Sequence, residues 1–393
     1  MATSGGKLLR RPGEPRRTNF LELFFDLVFV VALAQLSHGL IQDLTWRGTF
    51  KTLVLLLAVF WIWSFTAWTT DLYDTQRPAI QLLVTATMLG TMLMVVALPG
   101  AFGERGLVFA GAYVAIHVGG QLFILVLALW GHELQRRSIR VLFWFGVSAV
   151  PWLAGALVPG TARVILWTLA VATDYTGGIL RNPTPGMGRS PTSEYPILAE
   201  HLAERYRQLF IIALGELILV TTVTLSGSGF TAGRTTAFVV AFGGTALFWR
   251  IYIYRAGELL PGAIGAARDP DRLARSALVT HLIMLAGIVA TAVGDELVIA
   301  RPLGHTQPAW VAVILGGPAL FLAGRVGFGY AVFARVSWDR PISVLVLAAL
   351  TPPLLFVPPI LVATAAIAVL AGDSVADAAR ARGRPQKPPS PPS

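Results

Sequence analysis

Stretches of about twenty apolar residues recur along nearly the whole chain, and few folds can accommodate that pattern. A helix rises about 1.5 Å per residue, so about 20 residues cross a hydrocarbon layer of about 30 Å with every backbone group bonded inside the helix. Ten such segments stand out, at approximately 20–40, 52–69, 79–98, 107–130, 141–159, 162–180, 199–225, 233–254, 277–300 and 308–334. An eleventh stretch, 342–371, contains Pro352–Pro353 and Pro358–Pro359. Proline lacks a backbone donor and disfavours helix in the residue before it. That stretch is therefore one broken helix, two short ones or a re-entrant hairpin. The expected fold is all-α: a polytopic transmembrane helical bundle of about 12 spans, ten of them clear and the last two a proline-broken pair. It occupies residues 20–371, after a basic segment at 1–19 and before a Pro-, Arg- and Ser-rich tail at 372–393 that reads as disordered.

Charge supports this reading. Only 13% of the 393 residues are charged, against about 25% in a soluble domain, so a lipid bilayer must cover much of the surface. The net charge of +10 would suggest nucleic acid in a soluble protein. Here the basic residues lie in short loops, with no basic stripe interleaved with aromatics, so nucleic acid is not an expected partner. With the amino terminus inside, seventeen Lys and Arg fall in inner segments and six in outer loops. That bias places the amino terminus in the cytoplasm, and Arg380, Arg382, Arg384 and Lys387 ask the same of the carboxyl terminus. The expected location is the inner (plasma) membrane. The first apolar stretch carries Glu22 and Asp26 and continues as a full span, so no cleavable leader is expected. With no cysteines, disulfides, thiolate metal sites and cysteine nucleophiles are excluded.

Ionisable side chains inside spans cost about 2.5–3.5 kcal/mol each on insertion scales, so they face a cavity or a partner. Glu22 and Asp26, four residues apart, share one face of the first span. Asp71 closes the second span and Asp174 lies near the inner end of the sixth. His201, Glu204, Arg205 and Gln208 open the seventh, which reaches Glu216 at mid-depth. At about 100° per residue these five fall within a sector of about 120°. Arg250 and His281 follow in spans eight and nine, and His117 and Gln121 lie in span four. Together they suggest a polar cavity open to the cytoplasm. A structural reading stands beside it, in which Glu22 and Asp26 complement a helix start or pair with Arg205, Arg250 or Arg325 as glue. Trp61, Trp63 and Trp68 read as packing and interface anchors. No half of the chain visibly repeats the other.

Three stretches carry a family resemblance: RRTNFLELFFDLVFVVALAQLSHGL at 16–40, HLAERYRQLFIIALGE at 201–216 and TTDLYDTQRP at 69–78. They resemble the bacterial low temperature requirement A family. The resemblance implies a multi-pass inner-membrane protein, and the family name records a growth requirement in the cold rather than a reaction. Function must then be argued from residues. Clustered intramembrane carboxylates suit proton- or cation-coupled transport of a small solute. They also suit an intramembrane enzyme using acid–base chemistry or a divalent metal on a lipid-like substrate. A sensor or assembly partner without turnover is the third class. No motif of defined chemistry is present, so the residues assign no cofactor, metal or substrate, and a homo-oligomer is compatible with them.

Overall fold

A computed structural model describes residues 8–10, 19–127, 134–191, 199–253, 260, 262–263, 267, 270–334 and 337–381. Among them the structure is helical, with no strand. The helices are α1 (Phe20–Gln42), α2 (Trp46–Leu72), α3 (Pro78–Ala97), α4 (Gly106–Val114), α5 (Gly120–Leu127), α6 (Gln135–Leu157), α7 (Thr161–Ile179), α8 (Ala199–Ser228), α9 (Ala232–Tyr252), α10 (Pro270–Ala300), α11 (Pro308–Phe333), α12 (Asp339–Leu354) and α13 (Pro359–Ala381). A π-helical segment, Ala115–Gly119, joins α4 to α5 into one rod. Four helices open on proline, whose missing N–H is an orphan in a first turn anyway. Nine helical spans among the described residues are long and apolar enough to cross a membrane. Helices α7 and α9 are more polar, and α12, with 16 residues, is about 24 Å long. The protein is a polytopic helical membrane protein.

The structure settles the proline-rich stretch as two helices. Pro352 and Pro353 lie in the last turn of α12, and Pro359 opens α13. Helix α13 also continues to Ala381, past the boundary at 372 expected from sequence. The reason is ionic. Asp373 and Asp377 both reach back to Arg340 of α12, and Arg380 pairs with Asp377 and Asp339. The beginning of the expected tail is thus a charged helical face; residues 382–393 lie outside the described residues, as does most of the basic segment 1–19.

The chain forms two compact units, Met1–Gly39 with Trp46–Arg205, and Leu40–Thr45 with Tyr206–Ser393. In the first, α6 and α7 form a hairpin turning at Gly160, whose φ of +69° favours glycine. Gly155 in this hairpin lets Trp167 pack against the α6 backbone, with a Cβ there 2.6 Å from the indole. Arg163 takes up carbonyls the turn leaves bare, donating to those of Gly155, Ala156, Val158, Ala101 and Gly103.

In the second unit the most extensive pairing is α10 with α11. It depends on small residues, as membrane helices do where lipid gives no hydrophobic drive. A Cβ at Gly287 would lie 2.5 Å from the Phe321 nitrogen, and one at Gly317 would lie 2.6 Å from the Thr291 nitrogen. Gly316, one residue away, has nothing within 4 Å. Gly317→Ala is therefore expected to lower stability by about 1–3 kcal/mol through overpacking, while Gly316→Ala leaves it unchanged. Thermal unfolding of the two variants in detergent checks this; equal midpoints would refute the close approach.

Candidate functional site: a buried acid–base cluster

Helix α1 begins with Asn19-Phe-Leu-Glu22, and Glu22 makes the carboxylate half of a capping box: the Asn19 N–H donates to Glu22 Oε2 at 3.1 Å. The Asn19 side chain donates to Thr75 Oγ1 at 3.3 Å, tying the start of α1 to the end of α2. Residues 8–10 run alongside, where the Asp74 N–H donates to the Leu8 carbonyl and the Arg10 N–H to the Leu72 carbonyl. Arg10 then donates through Nε to the Tyr73 carbonyl and through Nη2 to Glu22 Oε1 at 3.4 Å. Tyr73, just beyond α2, has its phenol raised by burial to about 12, so it stays protonated. Asp74 accepts from the Gln76 N–H and from Arg77 and is an ordinary turn residue.

The first turns of α8 complete the site. His201 Nδ1 lies 3.0 Å from Asp71 Oδ1, and its Nε2 lies 3.1 and 3.0 Å from the two Glu22 oxygens. One turn on, Arg205 grips Asp26 with two parallel bonds, Nη1 to Oδ2 at 2.7 Å and Nη2 to Oδ1 at 2.8 Å. Trp63 of α2 donates its indole N–H to Asp26 Oδ1 at 3.0 Å, and its ring lies under the guanidinium, 5.7 Å from centroid to carbon. Glu22, Asp26, His201 and Arg205 have 0% exposure and Asp71 has 8%.

Both pairs join residues 179 apart, Glu22 to His201 and Asp26 to Arg205. Equal offsets mean that these turns of α1 and α8 run parallel and in register, each presenting an i,i+4 pair. Three acids, Glu22, Asp26 and Asp71, meet two arginines, Arg10 and Arg205, and one imidazole. Both ring nitrogens of His201 face carboxylate oxygens, so imidazolium satisfies both partners and makes the cluster neutral. A neutral ring donates to only one of them.

The structure thus unites five of the sequence-predicted candidates: Glu22, Asp26, Asp71, His201 and Arg205. Glu204 and Gln208 lie on the same helix but are part-exposed. Asp174 forms a separate buried contact, accepting from Tyr113 Oη at 2.8 Å and from the Trp152 indole at 3.4 Å. Glu216, Arg250 and His281 belong to the second unit. There Glu216 is buried, Arg250 is part-exposed, and His281 bonds through Nδ1 to the Ala277 carbonyl and through Nε2 to Tyr252 Oη. Sequence reasoning missed Arg10, Asn19 and Thr75, and gave Trp63 only a packing role. The Asn-x-x-Glu spacing was a usable signal for Asn19. Among the described residues no group of three acidic or imidazole side chains is arranged to hold a metal ion.

These features define a multi-pass α-helical membrane protein with a buried acid–base cluster in its first unit. Residues 17–375 match the family model described as bacterial low temperature requirement A protein (LtrA), and the chain belongs to that family. It is similar to Uncharacterized protein RA0937 of Rhizobium meliloti (strain 1021), with 35% identity over 312 residues, which cover 79% of this chain and 76% of that one. No solved structure matches the chain.

Proposed function

We infer that the protein moves a small solute across the bacterial inner membrane, coupled to the uptake and release of a proton at the Glu22–His201–Asp71 bridge. The observation that carries this reading is the imidazole held between two carboxylates inside membrane-spanning helices. Losing one proton there forces one of two contacts to be given up. His201 belongs to α8, whereas Glu22 and Asp71 belong to α1 and α2, so the protonation state biases how α8 sits against its neighbours. A charge change coupled to a helix contact is what a proton-driven carrier requires. The arginine bias of the loops supports an orientation with both termini in the cytoplasm, which sets the bridge at the inner end of the bundle.

The enzyme alternative needs a substrate to reach these carboxylates. The complete burial of Glu22 and His201 favours a ligand no larger than a proton at this point. The test uses inverted membrane vesicles from cells producing the protein, energised to hold an internal acid pH. Adding a filtrate of the host's own small metabolites is expected to collapse the gradient in vesicles with the wild-type protein and not in those with His201→Asn. Identical traces from the two would overturn the coupling.

A further inference from the structure

Three turns of the α4–π–α5 rod carry Tyr113, His117 and Gln121 at i, i+4 and i+8, all buried. His117 sits inside the π segment Ala115–Gly119, a local widening that recurs frequently at functional sites. Its Nδ1 faces the Tyr113 carbonyl at 3.0 Å, so the proton is on Nδ1 and Nε2 keeps a lone pair. His281 in the second unit makes the same bond to Ala277, and there Nε2 accepts the Tyr252 hydroxyl at 2.9 Å. Among the described residues His117 Nε2 has no such donor. A closed histidine and an open one thus make the same bond to the carbonyl four residues back.

The open histidine lies between two features. On one side is Asp174, 2% exposed, bound through Oδ2 to Tyr113 and Trp152. Its Oδ1 has no hydrogen-bond partner among the described residues, and no ion pair among them includes it. The groups facing it are Tyr113 from α4, Ser148 and Trp152 from α6 and Tyr175 from its own helix; none is a cation. Arg163, eleven residues earlier on α7, is about 16 Å away along the axis and spends its donors on backbone carbonyls. On the other side a cleft is lined by Tyr73, Arg137, Ser138, Gln121 and Phe65. Gln121 bonds to Ser138 at its wall. Phe65, one of its lining residues, packs on the His117 ring, with centroids 5.8 Å apart. The Tyr113 ring lies 4.3 Å beyond His117.

We propose that Asp174 is a second proton-binding station of this protein, separate from the Glu22–His201–Asp71 bridge, and that it exchanges its proton with the cleft through Tyr113 and His117. The ligand class is the proton alone, since Trp152 packs on Tyr113 with ring centroids 4.5 Å apart, and Phe109 and Trp167 pack in turn on Trp152 at 5.9 and 5.3 Å. The balance is simple: the proton leaving the Asp174 carboxyl passes to the Tyr113 oxygen as the tyrosine hydroxyl proton moves on. His117 Nε2 takes that proton and passes the same proton on to the cleft, while Nδ1 keeps its own on the Tyr113 carbonyl. No other bond is made or broken.

Infrared spectroscopy of the full chain in lipid nanodiscs, with 13C-labelled aspartate carboxyls, reads the station directly and does not depend on transport. A labelled carboxylic-acid band is expected to vanish in Asp174→Asn and to shift in Tyr113→Phe, which leaves Asp174 itself in place. In His117→Phe its hydrogen–deuterium exchange is expected to slow at least about tenfold, equivalent to 1.4 kcal/mol on the exchange barrier. A spectrum unchanged by both Asp174→Asn and Tyr113→Phe would overturn the station. Exchange at the wild-type rate in His117→Phe would overturn the path. Failure of the vesicle experiment above leaves both results intact, so the two readings fall separately.

Discussion

Arg205→Met is expected to be the most damaging single substitution in the first unit, lowering stability by about 3–5 kcal/mol. Both oxygens of Asp26 are committed to the guanidinium, and among the described residues only the Trp63 indole shares the load. Without the cation, a carboxylate with 0% exposure is left in low dielectric with a single donor. Set against a total stability of about 5–15 kcal/mol, that loss is a large fraction of the whole and should lower the amount of folded protein in the membrane. The same physics predicts the remedy. Replacing both partners, as in Asp26→Leu with Arg205→Met, removes the stranded charge together with its cost, and such replacements are often neutral or better. Membrane abundance and thermal midpoint in detergent, read for the two single variants and the double one, test the argument. A single Arg205→Met variant as stable as wild type would show that the pair contributes nothing to the fold.

Glu22→Gln is expected to do the opposite, sparing the fold and abolishing activity. The amide keeps the size of the acid, and its oxygen can still accept from the Asn19 N–H. His201 keeps its other bond, to Asp71. What disappears is the charge that makes a proton on Nε2 worth holding. A loss of about 100-fold in activity is expected, the lower end of what a positioned acid–base group supplies. Growth in the cold, scored beside membrane abundance, separates the cases. Normal abundance without complementation supports a working site, low abundance supports a structural role for Glu22, and full complementation would remove Glu22 from any mechanism.

The spans were legible because the bilayer imposes a length on apolar runs, and their centres agree with the helices. Their ends were less so. Helix α2 begins at Trp46 rather than 52, and α10 at Pro270 rather than 277. Arg47, Lys51, Arg272 and Arg275 interrupt the apolar pattern, yet they are good helix formers whose long stems let the charge reach water. The i,i+4 pairs of α1 and α8 were visible as two polar faces. Their pairing was not, because nothing local connects residues 179 apart. Arg10 was hidden for a different reason: in a run of basic residues it looks like a topology signal, and only the short segment 8–10 beside α2 brings it to Glu22.

That separation of 179 residues between partners has a consequence for how the protein is made. At about 5–20 residues per second, roughly 9–36 s pass between synthesis of the two acids of α1 and arrival of the bases of α8. Throughout that interval α1 must enter lipid carrying two carboxylates in its first turns, where a charge that would cost about 2.5–3.5 kcal/mol at the centre of a span costs less but is still unfavourable. The charges of α1 are therefore fully matched only once α8 has been made. Insertion of this protein is a waiting process, in which α1 is held at the membrane by its apolar residues and by its early partners Arg10 and Trp63 until α8 delivers the rest of the opposite charge.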